Sequence, residues 1–201
     1  MSTGLKVLEK LGEGYGYVKE KAKEAEKKER EVAEEIKAKT KMVKDAEVEV
    51  KGFISNTTFE DLVLQETKEW SGSCTTDGFP ATILDANNNW FIHVASTLTM
   101  PRGSKGAVVY VSKEPDEESS NAWVVAWSVP GDGYNKIYAE AGQMSKYPKG
   151  GIDWQKIESK LDGSSKEVNV RNMEDRLEVK GHIGDDAHHT LFQVTFAGII
   201  D

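Results

Sequence analysis

Cys74 is the one cysteine of the chain, and His93, His182, His188 and His189 are its four histidines. With the carboxylates, these are the groups that could act as nucleophile, base or metal ligand. A nucleophilic cysteine needs a base and an orienting group. His93 lies in the run Trp90-Phe91-Ile92-His93-Val94, where strand alternation sets it opposite Ile92 and Val94 and alongside Phe91. A Cys–His hydrolase would require the strands of Cys74 and His93 to meet. The reading preferred here is a small cysteine near the core and a hydrogen-bonded strand histidine. His182, His188 and His189 crowd around Asp185 and Asp186. Metal ligation needs three or four such donors converging, whereas Gly184-Asp185-Asp186 between two strand-like runs reads as a polar hairpin tip. Gly12, Gly14 and Gly16 fall one residue short of a kinase glycine loop. No kinase motif follows and no strand precedes them, so they read as a hinge. No Ser-His-Asp set and no paired carboxylates on one strand point to hydrolysis. The expectation is a protein that is not an enzyme and has no cofactor and no resident metal.

Aromatic rings are the other chemical resource, with five tryptophans and six tyrosines. Trp123 and Trp127 share a strand face with Val125 and read as core. Trp70, Tyr134, Tyr138 and Tyr147 fall next to Gly, Pro or Asn, where rings can sit at loop mouths. Trp70 precedes Ser71-Gly72-Ser73, and Tyr134 follows Pro130-Gly131-Asp132-Gly133 with Asn135 beside it. Trp70, Tyr134, Asn135 and Tyr138 are therefore the candidate ligand-binding residues. If the two loops open at one end of the domain, they form a shallow pocket suited to a sugar ring or a lipid head group.

The elements that must position these residues change character along the chain. Leu5, Leu8 and Leu11 suggest a short amphipathic helix before the glycine hinge. From Tyr17 to about Ala46 there is no Gly or Pro, and Lys, Glu and Ala dominate, which predicts a long charged helix. Val18, Ala22, Ala25, Glu29, Val32, Ile36, Lys39 and Val43 mark a narrow heptad seam. It suits a monomer better than the alternative, a weak coiled-coil dimer. From Glu47 the period becomes two. Strands are predicted from Val48, over 58–70, 81–84, 89–96, 105–112, 122–129, 134–140, 166–170, 176–183 and 190–197. The runs at 105–112 and 122–129 are continuously apolar and should be covered on both faces. Trp154, Ile157 and Leu161 lie on one helical face before Gly163, predicting a short helix near 153–161. The expected fold is an all-β sandwich or closed barrel over 47–201, preceded by a helical segment over 1–46.

Bulk composition narrows the partners. The 201 residues carry a formal net charge of −8, while residues 19–51 alone hold 11 Lys/Arg and 10 Asp/Glu. The acidic excess thus belongs to the β domain, which leaves no basic footprint for nucleic acid and favours neutral or zwitterionic ligands over anionic ones. Charges interrupt the apolar residues of the N-terminus, and no run approaches a membrane span or a signal peptide. One cysteine cannot make an internal disulfide, so a cytoplasmic protein is expected, with the nucleus also open to it. The sequon Asn56-Thr57-Thr58 would go unused there.

Several segments together carry a family resemblance. They are Glu69-Trp70-Ser71-Gly72, Phe79-Pro80, Trp90-Phe91-Ile92-His93-Val94, Gly103-Ser104-Lys105-Gly106-Ala107-Val108-Val109-Tyr110, Ala126-Trp127-Ser128 and Asn135-Lys136-Ile137-Tyr138-Ala139-Glu140. Over roughly 50–200 the chain resembles the small jasmonate-induced proteins of plants, a family associated with jasmonate, wounding and salt or osmotic stress and without an established catalytic activity. The long helix departs from that pattern and looks particular to this chain. Ile54-Ser55-Asn56-Thr57-Thr58 and the Gly103-Ser104 strand are also similar, more distantly, to aegerolysin- and actinoporin-like sandwiches, which bind membranes. The resemblance implies a non-catalytic, stress- or defence-linked protein, and the aromatic loops with the acidic charge suggest carbohydrate or a neutral or zwitterionic lipid head group as its partner. The alternatives are a membrane-active sandwich and, last, the Cys74/His93 hydrolase.

Overall fold

Eleven strands alternate with tight turns between Val48 and Gly198, and the computed structural model describes residues 48–75, 77–95, 103–113, 120–130 and 132–199. The predicted helical segment over 1–46, with its heptad seam and glycine hinge, lies outside the described residues. One sheet contains β1 (Val48–Thr57), β3 (Ser73–Cys74), β5 (Asn88–Ala95), β9 (Glu167–Asn172), β10 (Leu177–Ile183) and β11 (His189–Gly198), in the order β3-β5-β1-β11-β10-β9. The other contains β2 (Leu62–Ser71), β4 (Thr82–Ile83), β6 (Ser104–Ser112), β7 (Asn121–Val129) and β8 (Lys136–Gln143), in the order β4-β2-β6-β7-β8. Neighbours are antiparallel except β1 and β11, whose parallel pairing joins the first described strand to the last.

Alternation explains how two sheets enclose one core. Val48, Val50 and Ile54 of β1, Val179 of β10, and Phe192, Val194 and Phe196 of β11 point inward from the first sheet. Val108 and Tyr110 of β6, with Trp123, Val125 and Trp127 of β7, meet them from the second. Each such side chain removed from water contributes roughly 1.5–3 kcal/mol. The opposite faces of β6 and β7 hold Ala107, Val109, Val111, Ala122, Val124 and Ala126, also buried. A helix, α1 (Trp154–Asp162), lies there with Ile157 and Leu161 turned inward, and the small alanines let it approach closely. This is why those two runs are apolar without alternation. Asp153 caps the helix by accepting from the Lys156 N–H at 3.0 Å, and Gly163 ends it.

Strand boundaries differ from expectation at two instructive places. Phe59, expected inside a strand, lies in the turn before β2, and Tyr134, expected to open a strand, stands outside β8. Asn56 is fully buried, and its Nδ2 donates to Glu60 O at 2.7 Å and Ile83 O at 3.0 Å, so the sequon asparagine is structural. The register Ser71↔Lys105, Lys105↔Ser128 and Ser128↔Lys136 brings the end of β2 and the start of β8 to one end of the sandwich. The turns 58–61, 84–87 and 173–176 close the other end, as the pairs Thr57↔Ala197, Ser55↔Asn88 and Leu177↔Gly198 require.

Candidate functional site

The strands of Cys74 and His93 do meet. The two residues are direct partners in the β3–β5 ladder, so their side chains share a face. The His93 ring is fully buried, its Nδ1 2.8 Å from Ser104 Oγ, and Trp127 Nε1 donates to that same oxygen at 3.0 Å. The Ser104 oxygen accepts from Trp127, and its hydroxyl and Nδ1 share one further hydrogen bond whose direction follows the imidazole tautomer. Nε2 lies 3.4 Å from Glu69 Oε1 but out of line for a hydrogen bond. Gly72, at φ 85°, closes over this group: a Cβ there would stand 2.7 Å from His93 Cε1 and 2.5 Å from Val94 O. Phe79 and Trp127 pack on the imidazole from the core side.

The chemistry of this node is that of a buried polar tie. Burial pushes the His93 imidazole down to about 4, keeping it neutral. Burial, joined by the Glu69 carboxylate, pushes the Cys74 thiol up to about 12, the reverse of what a nucleophilic thiolate needs. Ser104 and His93 are closed to solvent. Glu69, Gly72, His93, Ser104 and Trp127 all come from the segments that carried the family resemblance, and here they converge on one point. Sequence reasoning singled out Cys74 and His93 but not Ser104 or Glu69. The signal available was the coincidence of three polar motifs at strand ends.

The four predicted ligand residues separate into two groups. Trp70 and Tyr138 are half-buried on the outer face of the second sheet, beside α1. Trp70 meets Trp154 edge-to-face at a centroid distance of 6.3 Å, with the Lys105 ammonium 5.8 Å from its ring. Lys105 in turn pairs with Glu158 and Asp162 of the helix, each at 2.8 Å. The Tyr138 hydroxyl donates to Glu140 and accepts from Lys160 Nζ at 2.9 Å. These two rings hold α1 in place. Trp70 and Tyr134 lie at the same end of the sheet, as the register requires, but on strands three spacings or about 14 Å apart. Among the described residues they do not line a common pocket.

Tyr134 and Asn135 do. Tyr134 is 84% exposed, at the rim of a cavity of about 490 Å³ lined by Asn135 and Lys136 on one side and residues 164–167 on the other. Residues 164–167 follow directly from α1, and the Ile137–Ser165 bridge fixes them against β8. Asn135 is 3% exposed. Its Nδ2 lies 2.7 Å from Gly184 O, 2.8 Å from Asp186 O and 3.0 Å from Thr190 Oγ1, latching the β10–β11 turn. Its Oδ1 has no hydrogen-bond partner among the described residues. Lys136 Nζ donates to Asp162 O at 2.5 Å, and Lys166 pairs with Asp185. Residues 165–167 also wall an open groove of about 1000 Å³ on the outer face of β9 and β10. An exposed ring and two ammonium groups, beside a buried carbonyl with no partner among the described residues, can receive a sugar ring, or a phosphate joined to an alkylammonium. The triple-histidine turn lies behind this wall, where the backbone N–H groups of His188 and His189 donate to Asp186.

Comparison with known proteins places this architecture. The chain is 29% identical over 143 residues to a "Jasmonate-induced protein homolog" of Atriplex canescens, a match covering 68% of this chain and 74% of that protein. It is 34% identical over 119 residues to a "23 kDa jasmonate-induced protein" of Hordeum vulgare, covering 59% of this chain and just over half, 56%, of the barley protein. The resemblance drawn from the sequence is thereby borne out. The crystal structure of the lipid binding protein Nakanori shares the fold, with a TM-score of 0.67 at 18% identity over 83% of this chain and 79% of that one. The model of the Nakanori-like protein family matches residues 16–196 and so takes in the charged stretch that looked particular to this chain. With nine-tenths of its length inside that model and the same two-sheet architecture beneath it, the chain belongs to the Nakanori-like protein family.

Proposed function

We propose that this chain is a non-catalytic, stress- or defence-linked binding protein that takes a sugar ring or a neutral or zwitterionic lipid head group in the pocket at Tyr134. The observation that carries the reading is Tyr134, a ring almost wholly exposed at the rim of the cavity, beside a buried Asn135 whose Oδ1 has no partner among the described residues. Buried polar atoms are nearly always satisfied, so the unpaired carbonyl of a residue that lines the pocket suits a ligand that brings a donor as the pocket wall adjusts around it. A sugar hydroxyl or a head-group N–H supplies one. Tyr134 would stack on the ring or the cationic end, and Lys136 and Lys166 would face a phosphate. Trp70 and Tyr138 act one step back, through the helix that carries the far wall. Support for lipid comes from the fold shared with a lipid binding protein, and support for a stress role from relatives named as jasmonate-induced. The lone, half-buried cysteine suits the reducing cytosol or nucleus.

The experiment is a glycan array together with lipid-strip binding of the purified chain, repeated with Tyr134→Ala. Binding to a neutral or zwitterionic ligand that the variant loses, at unchanged melting temperature, supports the reading. Binding that survives Tyr134→Ala, or is seen with anionic lipid alone, removes it.

A further inference from the structure

The wall that closes the Tyr134 pocket has a second side. Ser165, Lys166 and Glu167 line both that pocket and the open groove of about 1000 Å³ on the outer face of the first sheet. Strand alternation decides what the groove offers. Val168, Val179, Ile183 and Val194 turn toward the core. The residues between them turn outward, and the ladders set these in two rows that cross β9, β10 and β11. One row is Glu167, His182 and Gln193, and the other is Asn169, Lys180 and Thr195. Neighbours within a row stand about 4.8 Å apart, and the rows about 7 Å apart.

The chemistry of these rows is neutral hydrogen bonding. Asn169, His182 and Gln193 are exposed, and their side chains have no hydrogen-bond partner among the described residues. Both amides carry a donor and an acceptor, as a neutral imidazole does. The ammonium groups are occupied within the protein: Lys180 pairs with Glu178 at 2.7 Å, and Lys166 with Asp185. Sugar hydroxyls also donate and accept, so a chain of sugars matches such a surface without bringing charge. A protein partner matches it poorly. Among its described lining residues the groove has no Trp, Tyr or Arg, the anchors on which protein interfaces centre. Glu167 and Asp185 disfavour an anionic polymer.

We propose that the Tyr134 pocket is one end of a longer site whose ligand is a neutral, extended oligosaccharide, an extension that rests on the reading of that pocket as a binding site. The terminal sugar sits against Tyr134, and the following units cross residues 165–167 to lie over Asn169, His182 and Gln193. The crossing point is firm. Ser165 bridges to Ile137 of β8, and its Oγ donates to Glu167 O at 3.0 Å. Beyond it the sheet face runs on without a step, which suits a linear chain better than a branched one. The groove has no exposed ring on which a sugar could stack, so it adds affinity to the Tyr134 pocket without replacing it. Two or three added hydrogen bonds should tighten binding of a tetramer over a single sugar by roughly tenfold or more.

The test is calorimetric titration of the full chain with glucose, xylose, mannose and N-acetylglucosamine, each as the single sugar and as its linear β-1,4-linked tetramer. For at least one of the four, the tetramer should bind more tightly by that factor. Asn169→Ala with Gln193→Ala should remove the gain and leave the single sugar's affinity unchanged, and His182→Ala repeats the test at the middle strand. Tyr134→Ala should abolish binding of both. Phosphatidylcholine vesicles carrying a neutral tetraosyl glycolipid separate the sources: capture that the free tetramer competes away supports the proposal with a lipid-borne glycan, and free-tetramer binding without capture supports it with a soluble one. The proposal is overturned if no tetramer exceeds its single sugar, if the gain survives the double substitution, or if tetramer binding survives Tyr134→Ala. A response to phosphoethanolamine or a single sugar, lost in Tyr134→Ala, would in the first two cases leave the Tyr134 pocket standing alone.

Discussion

The two ends of the Asn135 amide have different partners. Its Nδ2 holds two turn carbonyls, while its buried Oδ1 has no partner among the described residues. Asn135→Ala should therefore cost about 2–3 kcal/mol in urea denaturation, because the carbonyls of Gly184 and Asp186 lose their donor, whereas Tyr134→Ala should leave stability within experimental error. His93 supplies a pH dependence whose sign follows from its burial. Its imidazole titrates near 4 in the fold, below the ordinary 6.5, so the unfolded chain binds more protons between those values. The stability it contributes is complete above pH 6.5 and is lost as pH falls toward 4, by up to about 3 kcal/mol. Urea titrations between pH 4 and 7 should show that slope reduced in His93→Gln relative to wild type. A thiol raised to about 12 should also make Cys74 label slowly with iodoacetamide at pH 8 until the chain is unfolded. Fast labelling of the native protein would reopen the hydrolase reading. At this scale the sequence was partly legible. Alternation predicted which face His93 takes, but Ser104 and Glu69 sit on strands separated in sequence from β5, and only strand pairing reveals that they meet there.

Among the elements, α1 connects the core to the candidate site. Its inward residues Ile157 and Leu161 cover the alanines of β6 and β7, and the chain leaving it forms the pocket wall. Leu161→Ala should cost about 2–4 kcal/mol, and ligand affinity should fall with it, since residues 164–167 lose their anchor. Calorimetry paired with a binding isotherm checks both. The helix was legible because Trp154, Ile157 and Leu161 keep a helical spacing ahead of Gly163. The central strands were legible from their unbroken apolar runs. The turn at Phe59 was not, because Thr58 to Trp70 is rich in strand-forming residues and gives no local sign that a buried Asn56 captures the backbone there. Tyr134 was placed two residues too far into a strand for a similar reason: the latch that ends β8 is the contact of Asn135 with a turn 49 residues later.

For the whole molecule, the buried aromatic and aliphatic side chains of both described clusters lie between Val48 and Phe196. A fragment of residues 48–201 should consequently keep its near-ultraviolet tryptophan spectrum. Loss of that spectrum would assign residues 1–47 a part in the core, in keeping with a family model that begins at residue 16. The sandwich as a whole sets a polar, ring-capped pocket at one end, with buried ties between the sheets. The central claim is that the Tyr134 pocket receives a neutral or zwitterionic polar ligand. Its most direct test is a two-dimensional NMR titration of the full chain with phosphoethanolamine and, separately, with the single sugars selected by an array. Shifts should be confined to Tyr134, Asn135, Lys136 and residues 164–167, and should disappear in Tyr134→Ala. Shifts located elsewhere, or unchanged by that substitution, would contradict it.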